Sequence, residues 1–137
     1  MAWNGKSGNL IENCQIVSFA VPVNLATASN QATVGDWINT KDAHHCVVIV
    51  HKAIGTAGED PTLVLRQATD NSGTGAKALN FTKVYRKEDL TALTTAPTVF
   101  TRTTQAAGST YTNDTSAESQ LIWVVEFDTS DMDSDGS

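Results

Sequence analysis

Residues 61–85, PTLVLRQATDNSGTGAKALNFTKVY, constrain the fold more than any other part of this chain. Two strand-like runs, 63–67 and 79–85, flank the polar stretch Asp70-Asn71-Ser72-Gly73-Thr74-Gly75. Asn, Asp and Gly tolerate positive φ, so the backbone can reverse here at little steric cost. The segment therefore predicts a strand, a loop and a second strand. Gly73, Gly75 and Lys77 do not meet the G-x-x-x-x-G-K-[ST] spacing of a phosphate loop, and a strand rather than a helix follows. The glycines read as a structural turn.

Further strand candidates recur along the chain. Gln15, Val17, Phe19 and Val21 alternate with Cys14, Ile16, Ser18 and Ala20, and Pro22 restricts further pairing. Residues 36–39, DWIN, form a short apolar step. Residues 44–51, HHCVVIVH, are the strongest strand signal, β-branched and apolar on both faces, and they predict a central strand covered on both sides or by a partner. Residues 87–93, KEDLTAL, predict one helical turn, and 98–104 a strand, with the polar stretch 105–119 after it. In 120–128, QLIWVVEFD, Leu121, Trp123, Val125 and Phe127 share one face, while Ile122 and Val124 take the other. About seven strands without a long helix predict an all-β fold, a two-sheet sandwich or jelly roll. Its expected core draws on Phe19, Val47, Ile49, Leu63, Leu65, Phe81, Phe100, Trp123 and Phe127.

The expected organisation is an arm over 1–13, a β-sandwich over 14–128 and an acidic turn or tail over 129–137. At 137 residues one domain can bury roughly 68–70% of its unfolded surface, enough for a core without metals or disulfides. The arm reads either as a frayed terminus or as a segment that packs on a neighbouring subunit through Trp3 and Asn4. No signal peptide is visible, and the longest aliphatic run, 46–50, is too short to cross a bilayer. The expected setting is a cytosol, with no membrane partner.

The net charge of −6 is local. Glu126, Asp128, Asp131, Asp133 and Asp135 fall in the last twelve residues, where there is no Lys or Arg; before them stand ten acidic and nine basic residues. The body is nearly neutral and lacks the basic patch of a phosphate-binding surface, which argues against nucleic acid as a partner. Cys14 and Cys46 are too few for a disulfide framework and read as buried free thiols.

Chemistry is sparse. His44 and Cys46 would point to one side of a strand, His45 and His51 to the other, and no further metal ligand announces itself. Residues 131–136, DMDSDG, match the first half of a calcium loop but lack its distal Glu and a preceding helix, so they read as an acidic turn. The carboxylate pairs Glu59/Asp60 and Glu88/Asp89 sit in loop-like contexts and are expected to face solvent. No G-x-S-x-G, H-E-x-x-H or C-x-x-C occurs. The expectation is a protein that is not an enzyme and carries no cofactor or metal.

Three groups of residues resemble a family of small bacteriophage virion proteins, most of them structural or capsid decoration (cement) proteins. They are 47–52 leading into GEDPTL at 58–63; LRQATD at 65–70 with GTGAKALNF at 73–81; and YT at 111–112 with SAE at 116–118 and LIWVVE at 121–126. None is a catalytic motif. Members of that family usually continue past the Asp-rich turn into further strands, which would make the acidic segment an inter-strand turn. The resemblance implies a β-sandwich on the outer surface of a capsid, made in the host cytoplasm. It further implies that the protein clamps neighbouring capsomers, with the major capsid protein as partner and a homo-oligomer, a trimer, as the working unit. Two other readings stay open: a tail- or portal-proximal virion protein, and a glycan-binding β-sandwich using Trp37 with Asp36, or Tyr111 with Asp114.

Overall fold

The computed structural model describes residues 14–20, 35–55, 57–58, 60–89, 99–113 and 119–132, without the side chain of Asp89. The arm, with Trp3 and Asn4, lies outside the described residues, as do Asp114 and the tail from residue 133. The fold is all-β. Its strands are β1 (His45–Lys52), β2 (Thr62–Val64), β3 (Arg66–Gln67), β4 (Lys77–Ala78), β5 (Phe81–Asp89), β6 (Thr101–Gly108), β7 (Thr110–Thr112) and β8 (Gln120–Asp128). A 3-10 turn, Thr129–Asp131, follows.

Four long strands form one antiparallel sheet in the order β1-β8-β5-β6. A second layer joins β2 to β7 and β3 to β4. Leu65 links the two pairs: its N–H donates to Ser109 at 2.8 Å, and its carbonyl accepts from Leu79 at 3.1 Å. This layer lays Leu63, Leu65, Leu79 and Tyr111 against the inner face of the main sheet, in one core with Phe81, Val84, Leu121, Trp123 and Val125. Two apolar faces thus close on each other, the arrangement of a β-sandwich. Leu121, Trp123, Val125 and Val84 are fully buried, each contributing roughly 1.5–3 kcal/mol. The register shift between Phe81 and Lys83 is pinned by Gln105, whose amide donates to the carbonyls of Phe81 (3.2 Å), Gly108 (3.4 Å) and Thr110 (3.3 Å).

The segment that opened the sequence reading behaves as expected in part. Its reversal is a hairpin, β3 to β4, with Gly73 and Gly75 at φ 82° and 63°. The Asp70 carboxylate ties the turn by accepting from the N–H groups of Ser72 (2.9 Å) and Thr74 (3.0 Å). These bonds, with the Thr74 contacts leading, hold its pKa below the usual carboxylate range. The flanking strands are interrupted, however: 63–67 splits at Leu65 into β2 and β3, and 79–85 divides between a link at Leu79 and the start of β5.

Several expectations are corrected. Residues 14–20 and 36–39 form no strand. Cys14 is exposed rather than buried, although both thiols are free. Phe19 is half-buried, its carbonyl accepting from Asp36 N–H at 2.6 Å. β5 continues through Lys87-Glu88-Asp89, where a helical turn was expected, because alternate residues there pair with β8. The polar stretch after residue 104 carries the end of β6 and all of β7. Most consequentially, β1 pairs only with β8 among the described strands and lies at the sheet edge, not its centre. Val48 and Val50 pack inward, whereas Val47 (49% exposed) and Ile49 (59%) leave the core. Phe100 leaves it too.

Candidate functional site

The outer face of the four-stranded sheet follows from its register. Cross-strand partners in an antiparallel ladder share a face, and alternate residues change face. Along β1 the outer positions are His45, Val47, Ile49 and His51, opposite Asp128, Glu126, Val124 and Ile122 of β8. Val124 and Ile122 are in turn opposite Tyr85 and Lys87 of β5. Tyr85 pairs with Arg102, and Lys83 with Thr104, on β6. The face therefore has an apolar band, Val47, Ile49, Ile122, Val124 and Tyr85, with Val47 and Ile49 about half exposed.

Charge is divided across that band. Glu126 and Asp128 stand on the β1–β8 side, whereas Lys83, Lys87 and Arg102 stand on the β5–β6 side. Asp128 lies 2.8 Å from His45 Nδ1, both side chains at least half exposed, so this pair adds little to stability. Glu126, Lys83 and Arg102 are exposed. Among the described residues, no ion pair joins Glu126 to these bases. Sequence reasoning missed this array because KVYRKED was divided between a strand and a helical turn. The period-two placement of Lys83, Tyr85 and Lys87 was the signal.

Beneath the sheet lies a second polar feature that the sequence did not announce. Glu88 accepts from the Trp123 indole N–H and from the Asn113 amide, both at 2.8 Å, with Arg86 at 3.5 Å. Instead of facing solvent, its carboxylate satisfies the one polar atom of the largest core side chain. Lys52, on the inner side of β1, is also buried, and its ammonium donates to the carbonyls of Ala53 and Ser119 at 3.1 Å each. Burial pushes its pKa down, against the opposing pull of Asp60. Both arrangements hold the sandwich together.

The remaining candidates are dispersed. His44 precedes β1, His45 and His51 share the outer face, and Cys46 turns the other way, its pKa raised by burial. Among the described residues no three His, Cys, Asp or Glu side chains converge as a metal site. Asp131 sits in the 3-10 turn, while Asp133 and Asp135 lie outside the described residues. Tyr111 is buried edge-to-face against Trp123, ring centroids 4.9 Å apart, and offers no exposed aromatic surface. Trp37 is half-buried beside Gly73, while Asp36 is exposed. Among the described residues no helix is long and apolar enough to cross a membrane. No protein-family model, no curated protein and no solved structure matches this chain.

Proposed function

We propose that this protein is a structural component of a bacteriophage virion, a capsid decoration (cement) protein on the outer surface of the head. In this reading it is made in the host cytoplasm, associates with itself, and bridges neighbouring subunits of the major capsid protein. The observation that carries the proposal is the outer sheet face. A band of partly exposed β-branched residues flanked by charges, of which Glu126, Lys83 and Arg102 have no ion-pair partner among the described residues, suits extended contact with another folded surface. The family resemblance across residues 47–128 gives that contact its setting, and the jelly-roll closure of the sandwich belongs to the same reading. No catalytic step is assigned, and neither nucleic acid nor a membrane is a partner.

Cementing works through many modest contacts multiplied by the symmetry of the shell. The test is the copy number of this chain in purified virions, measured by quantitative mass spectrometry against the major capsid protein. A number approaching that of the major capsid protein is expected. A handful of copies per particle would place the protein at the tail or portal instead.

A further inference from the structure

We propose that the outward edge of β1 pairs antiparallel with β1 of a second copy, about a two-fold axis beside Val48 and perpendicular to the sheet. Two four-stranded sheets then become one continuous sheet. The inference rests on reading the protein as one that associates with itself, and it names the element that does so.

The ladder fixes which backbone groups point outward. Thr129 N–H donates to the His44 carbonyl at 3.1 Å, and these residues stand opposite each other one step beyond the His45–Asp128 pair. A bond between opposite residues marks a hydrogen-bonded pair, and such pairs alternate along an antiparallel ladder. Cys46, Val48 and Val50 therefore turn their N–H and C=O groups to β8, whereas those of His45, Val47, Ile49 and His51 point away from it. Among the described residues, no group bonds to these outward N–H and C=O groups.

The two edges of the sheet differ. β6 carries Arg102, and its register with β5 shifts between Phe81 and Lys83. Charge and irregularity of this kind keep edges from pairing. β1 has neither: its register is unbroken over His45–Lys52, and no Pro, Lys or Arg stands between His45 and His51. A regular aliphatic edge about 20 Å long is a template for another strand.

The strand that suits it best is its own copy. A strand paired antiparallel with itself is read backwards, and HCVVIVH at 45–51 reads nearly the same both ways about Val48. With Val48 at the axis, Val47 opposes Ile49 of the other copy and His45 opposes His51, each pair occurring twice. Four pairs with two bonds each make about eight backbone hydrogen bonds, within the usual count for a protein–protein interface. A register in which Val47 or Ile49 opposes itself loses one of these pairs within 45–51 and sets an aliphatic residue against a histidine. A segment of unrelated sequence gains nothing from this symmetry. Backbone bonds carry the contact, so micromolar strength is expected. The pairing is isologous and yields a dimer, not the trimer implied by the family resemblance.

The experiment is sedimentation equilibrium of the full chain from about 1 to about 200 μM. The wild type is expected to approach twice the protomer mass of 14.6 kDa. Two double variants test the register. Val47→Lys with Ile49→Lys sets ammonium against ammonium at two symmetry-related places, whereas Val47→Lys with Ile49→Glu sets ammonium against carboxylate. The first is expected to pair at least about tenfold more weakly than the second. Both positions are about half exposed, and thermal unfolding at the lowest concentration verifies that the variants fold. Val47→Pro removes an outward N–H and no bond to β8, and it is expected to be a folded monomer; if the proline unfolds the chain, the double variants carry the test. A monomeric wild type, the result expected if another segment of the chain or a different virion protein covers β1, overturns the proposal. So does a trimer, equal pairing by the two double variants, or a Val47→Pro protein that still pairs. None of these outcomes bears on virion copy number, so the functional reading stands or falls separately.

Discussion

β8 faces two environments with the same nine residues. On its inner side Leu121, Trp123 and Val125 are fully buried, and the second layer closes over them. On its outer side Ile122 and Val124 are only partly buried, and their neighbours on β1, Val47 and Ile49, are about half exposed. Hydrophobicity alone does not distinguish the two sides, since both carry aliphatic residues. Polar residues do. On the inner side each charge has a task within the chain: Glu88 accepts from Trp123 and Asn113, and Lys52 from β1 donates to the carbonyl of Ser119. On the outer side Glu126, Lys83 and Arg102 have no such task among the described residues. The inner charges serve the chain's own hydrogen bonds, whereas these three outer ones lie exposed.

The largest effect is expected of Trp123→Ala. It removes the largest fully buried side chain and leaves Glu88 Oε1 without its indole donor, so about 3–5 kcal/mol of stability should be lost, read by denaturant unfolding. A loss below about 1 kcal/mol would mean that the inner face is not the core.

Next in size is a pair of changes to the same residue type on opposite sides. Glu88→Ala leaves the Trp123 indole N–H and the Asn113 amide without their shared acceptor and should cost about 1–3 kcal/mol. Glu126→Ala, on the exposed outer face, should stay within about 0.5 kcal/mol. Equal effects from the two would erase the division of labour.

Gly73→Ala tests the second layer that closes the inner face. Gly73 adopts φ +82°, and an added Cβ would come within 2.5 Å of Trp37 Nε1. Positive φ alone costs of order 1 kcal/mol for a residue with a side chain. Gly58, at φ +85° with nothing near its Cβ position, isolates that backbone share. Gly73→Ala should therefore be the more damaging of the two in thermal unfolding, and adding Trp37→Ala should remove part of the excess. Acid adds a smaller effect in the same loop. The folded pKa of Asp70 is depressed, so its contribution is complete above the unfolded carboxylate value of about 3.9 and is lost as pH falls through the lower folded value. In Asp70→Asn, thermal unfolding should depend less on pH below about 4 than in the wild type.

These expectations differ in how far they could be drawn from the chain itself. β8 was legible because its alternation is strict and local, and the Gly73–Gly75 reversal because positive φ is a property of single residues. The edge position of β1 was not legible. HHCVVIVH is apolar on both sides, and pattern alone cannot say whether the second side meets the chain's own core or a different surface. The start of β6 was legible in the strand expected over 98–104, but its end and all of β7 were obscured, because Gln105-Ala106-Ala107 and Thr110 carry little hydrophobic signal. Glu88 was misread for a related reason. Beside Lys87 and Asp89 it resembles a solvated charge cluster, and only contact with Trp123, 35 residues on, gives it a role.

Two neighbouring positions of a single strand test the same division. Ile49 and Val50 are neighbours on β1 that face opposite ways: Ile49 is 59% exposed, whereas Val50 packs against the core. Threonine keeps the β-branch that suits a strand at either site. Ile49→Thr should therefore leave stability within about 0.5 kcal/mol, since little apolar surface leaves the core. Val50→Thr introduces a hydroxyl where an aliphatic group packed and should cost about 1–3 kcal/mol. Thermal unfolding of the two variants at one low protein concentration separates folding from any association. If Ile49→Thr is as destabilising as Val50→Thr there, the outer side of β1 is already engaged within the protomer and cannot serve as a contact face. If the two diverge, the apolar residues outside the sheet are kept for something other than the stability of this chain.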